Sequence, residues 1–327
     1  YPESLRPVGD ETAKPGLHER IRESCEKLGV EYNVWAVGLH NSTLARAHPE
    51  YAVTNVFGTK YDYALCPSQP VVRQYLLGLS FNIAASFQPA SIAMETPNFL
   101  GFVHGHHHEL ILSRLGPVAE YLLSLCFCDE CRRRASEAGI DTEELANVVR
   151  QRITDLTERE RGGLSAEFTQ AELASLLVEE PLVYAYTAMR IRSVTELVRE
   201  LHGELSGRGV KLIVVPSVFT RPGSKAWMEG TGFGQLDEFV DGFMLLSYFP
   251  NPAWVKADIE WLRMFARKAP LYSAFNAGGS DAPDEATLGA CVAQALRFRP
   301  EAVAYYNASL LTRTRLDWIG RINRSIG

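Results

Sequence analysis

Nowhere in its 327 residues does this chain assemble the ~18 to 20 consecutive apolar residues that a bilayer-spanning helix requires. It opens at Tyr1 without a charged, apolar leader of the secretory kind. Basic runs are missing too. Its 33 lysines and arginines are mixed among 39 acidic residues, giving a formal net charge of -6 and arguing against a nucleic-acid surface. There is no glycine-rich phosphate loop, no dinucleotide fingerprint and no G-x-S-x-G turn. No internal repeat or low-complexity linker divides the chain, so residues 1–327 read as one domain with enough apolar content, 46%, for a large core. These absences lead us to expect a cytoplasmic protein with neither nucleic-acid nor membrane partners, and leave homo-oligomerisation open.

Cysteine is scarce as well, with only 6 residues, but it is unevenly placed. Cys126-Phe127-Cys128-Asp129-Glu130-Cys131 sets three thiols so close together that pairwise disulfides would be strained. C-x-C-x2-C suits a tetrahedral metal whose fourth thiolate comes from elsewhere, and Cys66 in Leu65-Cys66-Pro67-Ser68-Gln69-Pro70 is the candidate. Cys25 and Cys291 are expected to remain thiols in a reducing compartment.

Short apolar runs alternate with helical periodicity along most of the chain. Strands are expected at Val34–Leu39, Ala90–Met94, Val210–Val215, Phe239–Leu246, Pro270–Phe275 and Ala302–Asn307. Helices are expected at Leu17–Leu28, Pro70–Phe87, Val183–Leu205, Ala253–Lys268 and Asp284–Phe298. A helical insertion spans roughly 98–180, with Asp141 capping one of its helices. Near-continuous apolar strands separated by helices mean a parallel sheet covered on its outer face. His40, Glu95, Ser217, Tyr248, Asn276 and Asn307 all follow strand ends, where a (β/α)8 barrel builds its active site. Only six strands are convincing. We therefore expect a (β/α)8 TIM barrel whose strands one and two belong to a segment upstream of this chain.

The run Phe57-Gly58, then Cys66-Pro67-Ser68-Gln69-Pro70-Val71-Val72-Arg73, then a strand ending in glutamate, then C-x-C-x2-C, resembles glycoside hydrolase family 42, the β-galactosidase-like barrels. The resemblance covers about Val34 to Cys131. It implies a structural zinc ion on Cys66, Cys126, Cys128 and Cys131, and it matches Glu95 to the general acid/base at the end of barrel strand four. Two positions depart from the family pattern. Met94 stands where an asparagine precedes the acid, and barrel strand seven ends Ala274-Phe275-Asn276-Ala277-Gly278 without the nucleophilic glutamate. Ordinary retaining chemistry, which needs two carboxyls about 5 to 5.5 Å apart, is therefore expected to be weak or absent.

Glu95 is the leading catalytic residue, since a carboxyl just past an apolar strand is partly desolvated and its pKa rises. Asp281 and Glu229 are the candidates for a second carboxylate. His104-Gly105-His106-His107-His108-Glu109 offers metal ligands or sugar contacts on the same face. His40, Asn41, His104, His107, His108, Tyr248, Trp254, Asn276 and Asn307 are expected to bind substrate. The leading expectation is a glycoside-hydrolase-like protein acting on a small glycoside or oligosaccharide. The alternatives are a metal-dependent sugar lyase or epimerase using His104 to Glu109 with His40 and Glu95, and a non-catalytic carbohydrate-binding barrel.

Overall fold

The structure is a computed structural model and describes residues 1–3, 5–7, 15–105, 115–158, 166–217 and 222–326. Its strands are β1 (Asn33–Val37), β2 (Ala52–Thr54), β3 (Lys60–Leu65), β4 (Ser91–Glu95), β5 (Lys211–Val215), β6 (Gly242–Leu246), β7 (Leu271–Asn276) and β8 (Ala302–Tyr306). Six of them form one sheet in the order β1-β4-β5-β6-β7-β8, with every pairing parallel. Those six are the six expected from apolar runs. The strand expected over Phe239–Leu246 is shorter at its start, because Asp241 turns its carboxylate back to accept from the Leu212 amide (2.8 Å).

The sheet is curled. Flat, six strands would set β1 and β8 about 24 Å apart at ~4.8 Å per strand. Yet Trp35 on β1 and Tyr306 on β8 bring their ring centroids within 6.1 Å. The sheet is therefore a half-barrel with helices outside it, a partial TIM-barrel-like arrangement.

Side-chain alternation sorts each strand into an inner and an outer face. Ala93, Ile213, Val215, Met244, Leu246 and Ala274 form a small cluster inside the curl, with Trp35, Tyr248 and Ala304 packed on it. Their neighbours of opposite parity, among them Ile92, Met94, Leu212, Val214 and Phe243, join the main core beneath the helices. Met94 is fully buried there, so the residue preceding Glu95 faces the helix layer and not the inside of the curl.

The helix Pro70–Phe87 begins at proline as expected, and the 26-residue helix Pro181–Ser206 packs beside it. Arg73, almost fully buried, ties the two together by donating to Glu200 Oε1 (2.6 Å) and to the Ser193 carbonyl (3.1 Å). Arg190 on the long helix is also buried, with its guanidinium 4.3 Å from the Phe99 ring centroid and donating to the Met228 and Ser124 carbonyls. Asp141 caps the helix Thr142–Thr157 as expected, accepting from the amides of Glu143 and Glu144. The β2–β3 hairpin and the helix Arg313–Ile326 are additions to the sequence reading. At the hairpin turn Asn55 Oδ1 accepts from Phe57 and Thr59, and Gly58 takes φ +83°, a conformation most side chains avoid.

Asp258, on the helix Pro252–Phe265, is buried and accepts from the Gly223 amide (2.6 Å) at the start of the 3-10 helix Gly223–Glu229. Burial pushes its carboxyl up from 3.8 to about 6. A carboxyl held above its unfolded value contributes stability at low pH and loses it as pH rises from 3.8 through about 6. The substitution Asp258→Asn keeps the acceptor and sheds the buried charge. Urea unfolding should show the variant gaining about 2 to 3 kcal/mol on the wild type between about pH 4 and about pH 8.

Candidate active site and four-cysteine centre

The strand register fixes where β4 delivers its last residue. Glu95 lies between Val37 on β1 and Val215 on β5, at the carboxyl-terminal rim of the curl. Its carbonyl accepts from the Gly38 amide (2.8 Å), and the chain then bends sharply. Thr96 takes φ +55° and is fully buried, a conformation that costs a β-branched residue about 1 to 3 kcal/mol. Its partners hold it there: Leu39 N donates to the Thr96 carbonyl (3.0 Å) and His40 N to its hydroxyl (3.3 Å).

Trp35 Nε1–H donates to Glu95 Oε2 at 2.5 Å. Burial pushes the Glu95 carboxyl above its ordinary range, and the indole bond offsets part of that rise. Among the described residues Glu95 has no cationic partner. Tyr306 stands next to Trp35 and 6.2 Å from Tyr248, so three aromatic rings from β1, β8 and the loop after β6 run in a row that begins at the indole bound to Glu95. Asn276, paired in register with Tyr306, donates from Nδ2 to Asp281 Oδ2 (3.0 Å). Inside the curl, below this rim, lies a cavity of about 390 Å³ lined by Asn33, Trp35, Ser91, Ile213, Met244 and Tyr272.

Two imidazoles meet beside Thr96. His104 Nε2 lies 3.2 Å from His40 Nε2, with the rings edge to face at 4.2 Å. Burial lowers the His40 pKa, which favours a neutral ring. One ring nitrogen then donates to the other's lone pair. His104 also stacks on Tyr63 at 5.6 Å.

The remaining candidates are placed apart from the Glu95 cluster or engaged locally. Asn41 caps the helix Ser42–Ala47 and donates to the Tyr75 hydroxyl (3.2 Å). Asn307 accepts from the amide and hydroxyl of Ser309. Glu229 is buried at the end of its 3-10 helix, where Asn98 Nδ2 donates to it at 3.4 Å. Trp254 sits on an outer helix, 56% exposed, edge-on to Phe249. His107 and His108 lie outside the described residues.

The cysteines converge. Cys66, Cys126, Cys128 and Cys131 are all buried, and their four sulfurs lie within 4.8 Å of one another. Cys66 Sγ is 3.5 Å from Cys131 Sγ and 3.7 Å from the sulfurs of both Cys126 and Cys128. Disulfides need about 2.05 Å, so these are separate thiols. Four sulfurs each about 2.3 Å from a central tetrahedral ion would stand ~3.8 Å apart, and the donor set fits a metal. The β2–β3 hairpin makes the convergence possible. Thr54 N donates to Cys126 Sγ (3.4 Å), Phe127 N donates to the Thr54 carbonyl (2.6 Å), and the Tyr186 hydroxyl donates to the Cys126 carbonyl.

No family model matches this chain, and no curated protein sequence does. Solved structures do. A β-galactosidase from the psychrophilic Marinomonas ef1 superposes with a TM-score of 0.55 at 12% identity, over 90% of this chain and 47% of its own. That of Bacillus circulans sp. alkalophilus gives 0.56 at 13% identity, over 91% and 44%. The polyextremophilic enzyme of the Antarctic haloarchaeon Halorubrum lacusprofundi gives 0.54 at 14%, over 91% and 46%. This chain thus spans less than half the length of each of these structures. At such identities the likeness is one of fold: the half-barrel and its helices are glycosidase-like.

Sequence reasoning did not pick out Trp35. The signal was available, since Asn33, Trp35 and Val37 share the inner parity of their strand. Nor did it find Thr96 or the Asn98–Glu229 contact, which follow from backbone bends that no local pattern announces. Of the adjacent Tyr305 and Tyr306, only one could point inward. Tyr305 goes outward, donating to Asn323 Oδ1 (2.8 Å), and Tyr306 is the inner one.

The indole bond is testable on its own. Replacing Trp35 by phenylalanine removes the one donor to the Glu95 carboxylate among the described residues, so the carboxyl should titrate at a higher pH than in the wild type. A carbon-detected titration of the Glu95 carboxyl in both proteins would measure the shift, and equal midpoints would show that the two groups do not interact.

Proposed function

We propose that this chain is a glycoside-hydrolase-like domain acting on a small glycoside or oligosaccharide, with Glu95 as the general acid/base. The observation that carries the reading is the Glu95 carboxyl at the carboxyl-terminal rim of the half-barrel, desolvated and held by the Trp35 indole N–H. A carboxyl with a raised pKa stays protonated long enough to donate its proton to the glycosidic oxygen as the anomeric C–O bond breaks. Asp281, oriented by Asn276, is the first choice for the base that takes a proton from the attacking water. Glu229, enclosed by Asn98, is the second. Two carboxyls used in this way invert the anomeric centre, in contrast to the retaining route, for which strand β7 offers Asn276 where a nucleophile would be needed.

The half-barrel is read here as six strands of a (β/α)8 barrel, with two further strands adding at the free sides of β1 and β8. The helices between β4 and β5, over 98–180, form its zinc-bearing insertion. Zinc on Cys66, Cys126, Cys128 and Cys131 would be a structural ion that stabilises the hairpin and the helix Asp129–Glu137 against the long helix. With four thiolates it has no open position for chemistry.

A second reading has a specific observation behind it. With no carboxyl at the end of β7, a carbohydrate-binding barrel without turnover would use the same rings and the same Glu95. Nitrophenyl glycosides separate the two. If the chain is an enzyme, Glu95→Gln should lower kcat by ~10²- to 10⁴-fold with little change in KM, and the first product formed should have inverted configuration. Binding without hydrolysis in the wild type selects the non-catalytic reading.

The zinc assignment has its own check. Elemental analysis should find one zinc per chain, and Cys128→Ser should lose the metal and lower the unfolding temperature. A protein that purifies fully folded without zinc would overturn it.

A further inference from the structure

The loop after β7 carries Asp281, the first choice for the base, and three tethers hold that loop. Within it, Asn276 Oδ1 accepts from the Gly278 amide (3.0 Å) while Asn276 Nδ2 donates to Asp281 Oδ2 (3.0 Å). Toward β8, the Ala277 amide donates to the Tyr306 carbonyl (3.2 Å). The third tether comes from the helix Arg313–Ile326. Its Arg315 donates from one nitrogen, Nη1, to the carbonyls of Ala277 (2.6 Å) and Ala282 (2.7 Å). Those two residues are fully buried and bracket the 3-10 helix Gly279–Asp281. One cation therefore clamps both ends of the turn that presents the carboxylate.

Arg315 works against its own helix. Arg313 and Arg315 stand in the first turn, which holds no acidic residue, and the N-terminal end of a helix is its positive end. Helix stability alone would favour Asp or Glu there. A residue that opposes its own element is expected where a site makes use of it. Both bonds from Nη1 go to backbone carbonyls, so what they fix is the path of the chain. Trp318 packs on the same guanidinium, with its ring centroid 4.8 Å away. Asp281 and Glu95 both follow the carboxyl ends of parallel strands and so stand on one rim.

We propose that Arg315 is a positioning residue: it sets where the Asp281 carboxylate meets the attacking water, without touching substrate itself. This role rests on the glycoside reading above, with Asp281 as the base. In the step it serves, Asp281 takes a proton from water as the water oxygen bonds to the anomeric carbon. The anomeric C–O bond breaks at the same time, and Glu95 gives its proton to the departing oxygen.

Hydrolysis of nitrophenyl glycosides by the intact chain, with and without sodium azide, tests this. Azide attacks the anomeric carbon as an anion and needs no base, so it replaces water and Asp281 together. Arg315→Met should lower kcat about 10- to 100-fold with KM nearly unchanged, since misplacing a reacting group by ~1 Å can cost ~10²-fold. Arg315→Lys keeps a donor for one carbonyl and should fall between Arg315→Met and the wild type. Azide should restore turnover in both Arg315→Met and Asp281→Ala, with a glycosyl azide as the product of each. An unchanged kcat in Arg315→Met would overturn the role and leave the glycoside reading standing. So would a loss that azide restores in Asp281→Ala but not in Arg315→Met, which would mark a clamp for the fold alone. Full turnover by Asp281→Ala, or no rescue of it by azide, would place the base elsewhere and also overturn the role. If Arg315→Met does not fold, Arg315→Lys is judged by the same outcomes. No hydrolysis by the wild type would overturn both the role and the reading.

Discussion

The curl of one parallel sheet is the constraint on which the candidate site depends. Residues 35 and 306 are far apart in sequence and lie on opposite edge strands, yet their rings touch because each strand pair adds a fixed twist and tilt. Without that curvature the rim at Glu95 would open beside a flat β1, and Tyr306 would not reach Trp35. The same curvature sorts side chains into two cores, a small one inside and a large one beneath the helices. A one-residue slip of β4 would send Glu95 into the helix layer and Met94 to the rim. The fully buried Met94 thus helps fix the register that presents the acid.

The two centres are linked through the chain's path rather than through contact. After β1 the chain turns at His40, runs through the β2–β3 hairpin and delivers Cys66 just before the helix Pro70–Phe87. After β4 it passes the strained Thr96 and later supplies the other three cysteines. The cysteine cluster therefore joins the two excursions that leave the rim on either side of Glu95. Its part in this reading is to hold the base of the loops that carry His40 and His104, and not to take part in chemistry.

Much of this was legible in the sequence because the strands are apolar on both faces, and such runs stand out between turn signals. All six sheet strands are of this kind. The hairpin was missed because β2 is only three residues long and β3, Lys60-Tyr61-Asp62-Tyr63, alternates polar and aromatic residues. The cysteine cluster was legible from spacing alone, since three thiols so close together leave few chemical options. The active-site candidates were less so. Position after a strand marked Glu95, whose carboxyl is partly buried at the rim, but it also marked Asn41 and Asn307, whose side chains are used to cap the turns that follow. A polar residue at a strand end is equally suited to capping and to binding, and only the three-dimensional partner distinguishes them. Trp35 was hidden for the opposite reason: within an apolar run, an aromatic residue looks like core.

The free sides of β1 and β8 also restrict what can complete the sheet. Both strands run in the same direction as their neighbours, so any strand added beside them in a parallel barrel must enter in that direction too. In the all-parallel barrel proposed above a β-hairpin would not fit, because its two arms are antiparallel. Two strands in one sense require a crossover, and a crossover in such a sheet is almost always right-handed. The piece that would fit the proposed barrel is a chiral β-α-β unit of roughly 30 residues, with its helix on the outer surface. The handedness of any such unit is already dictated by the six strands that are present.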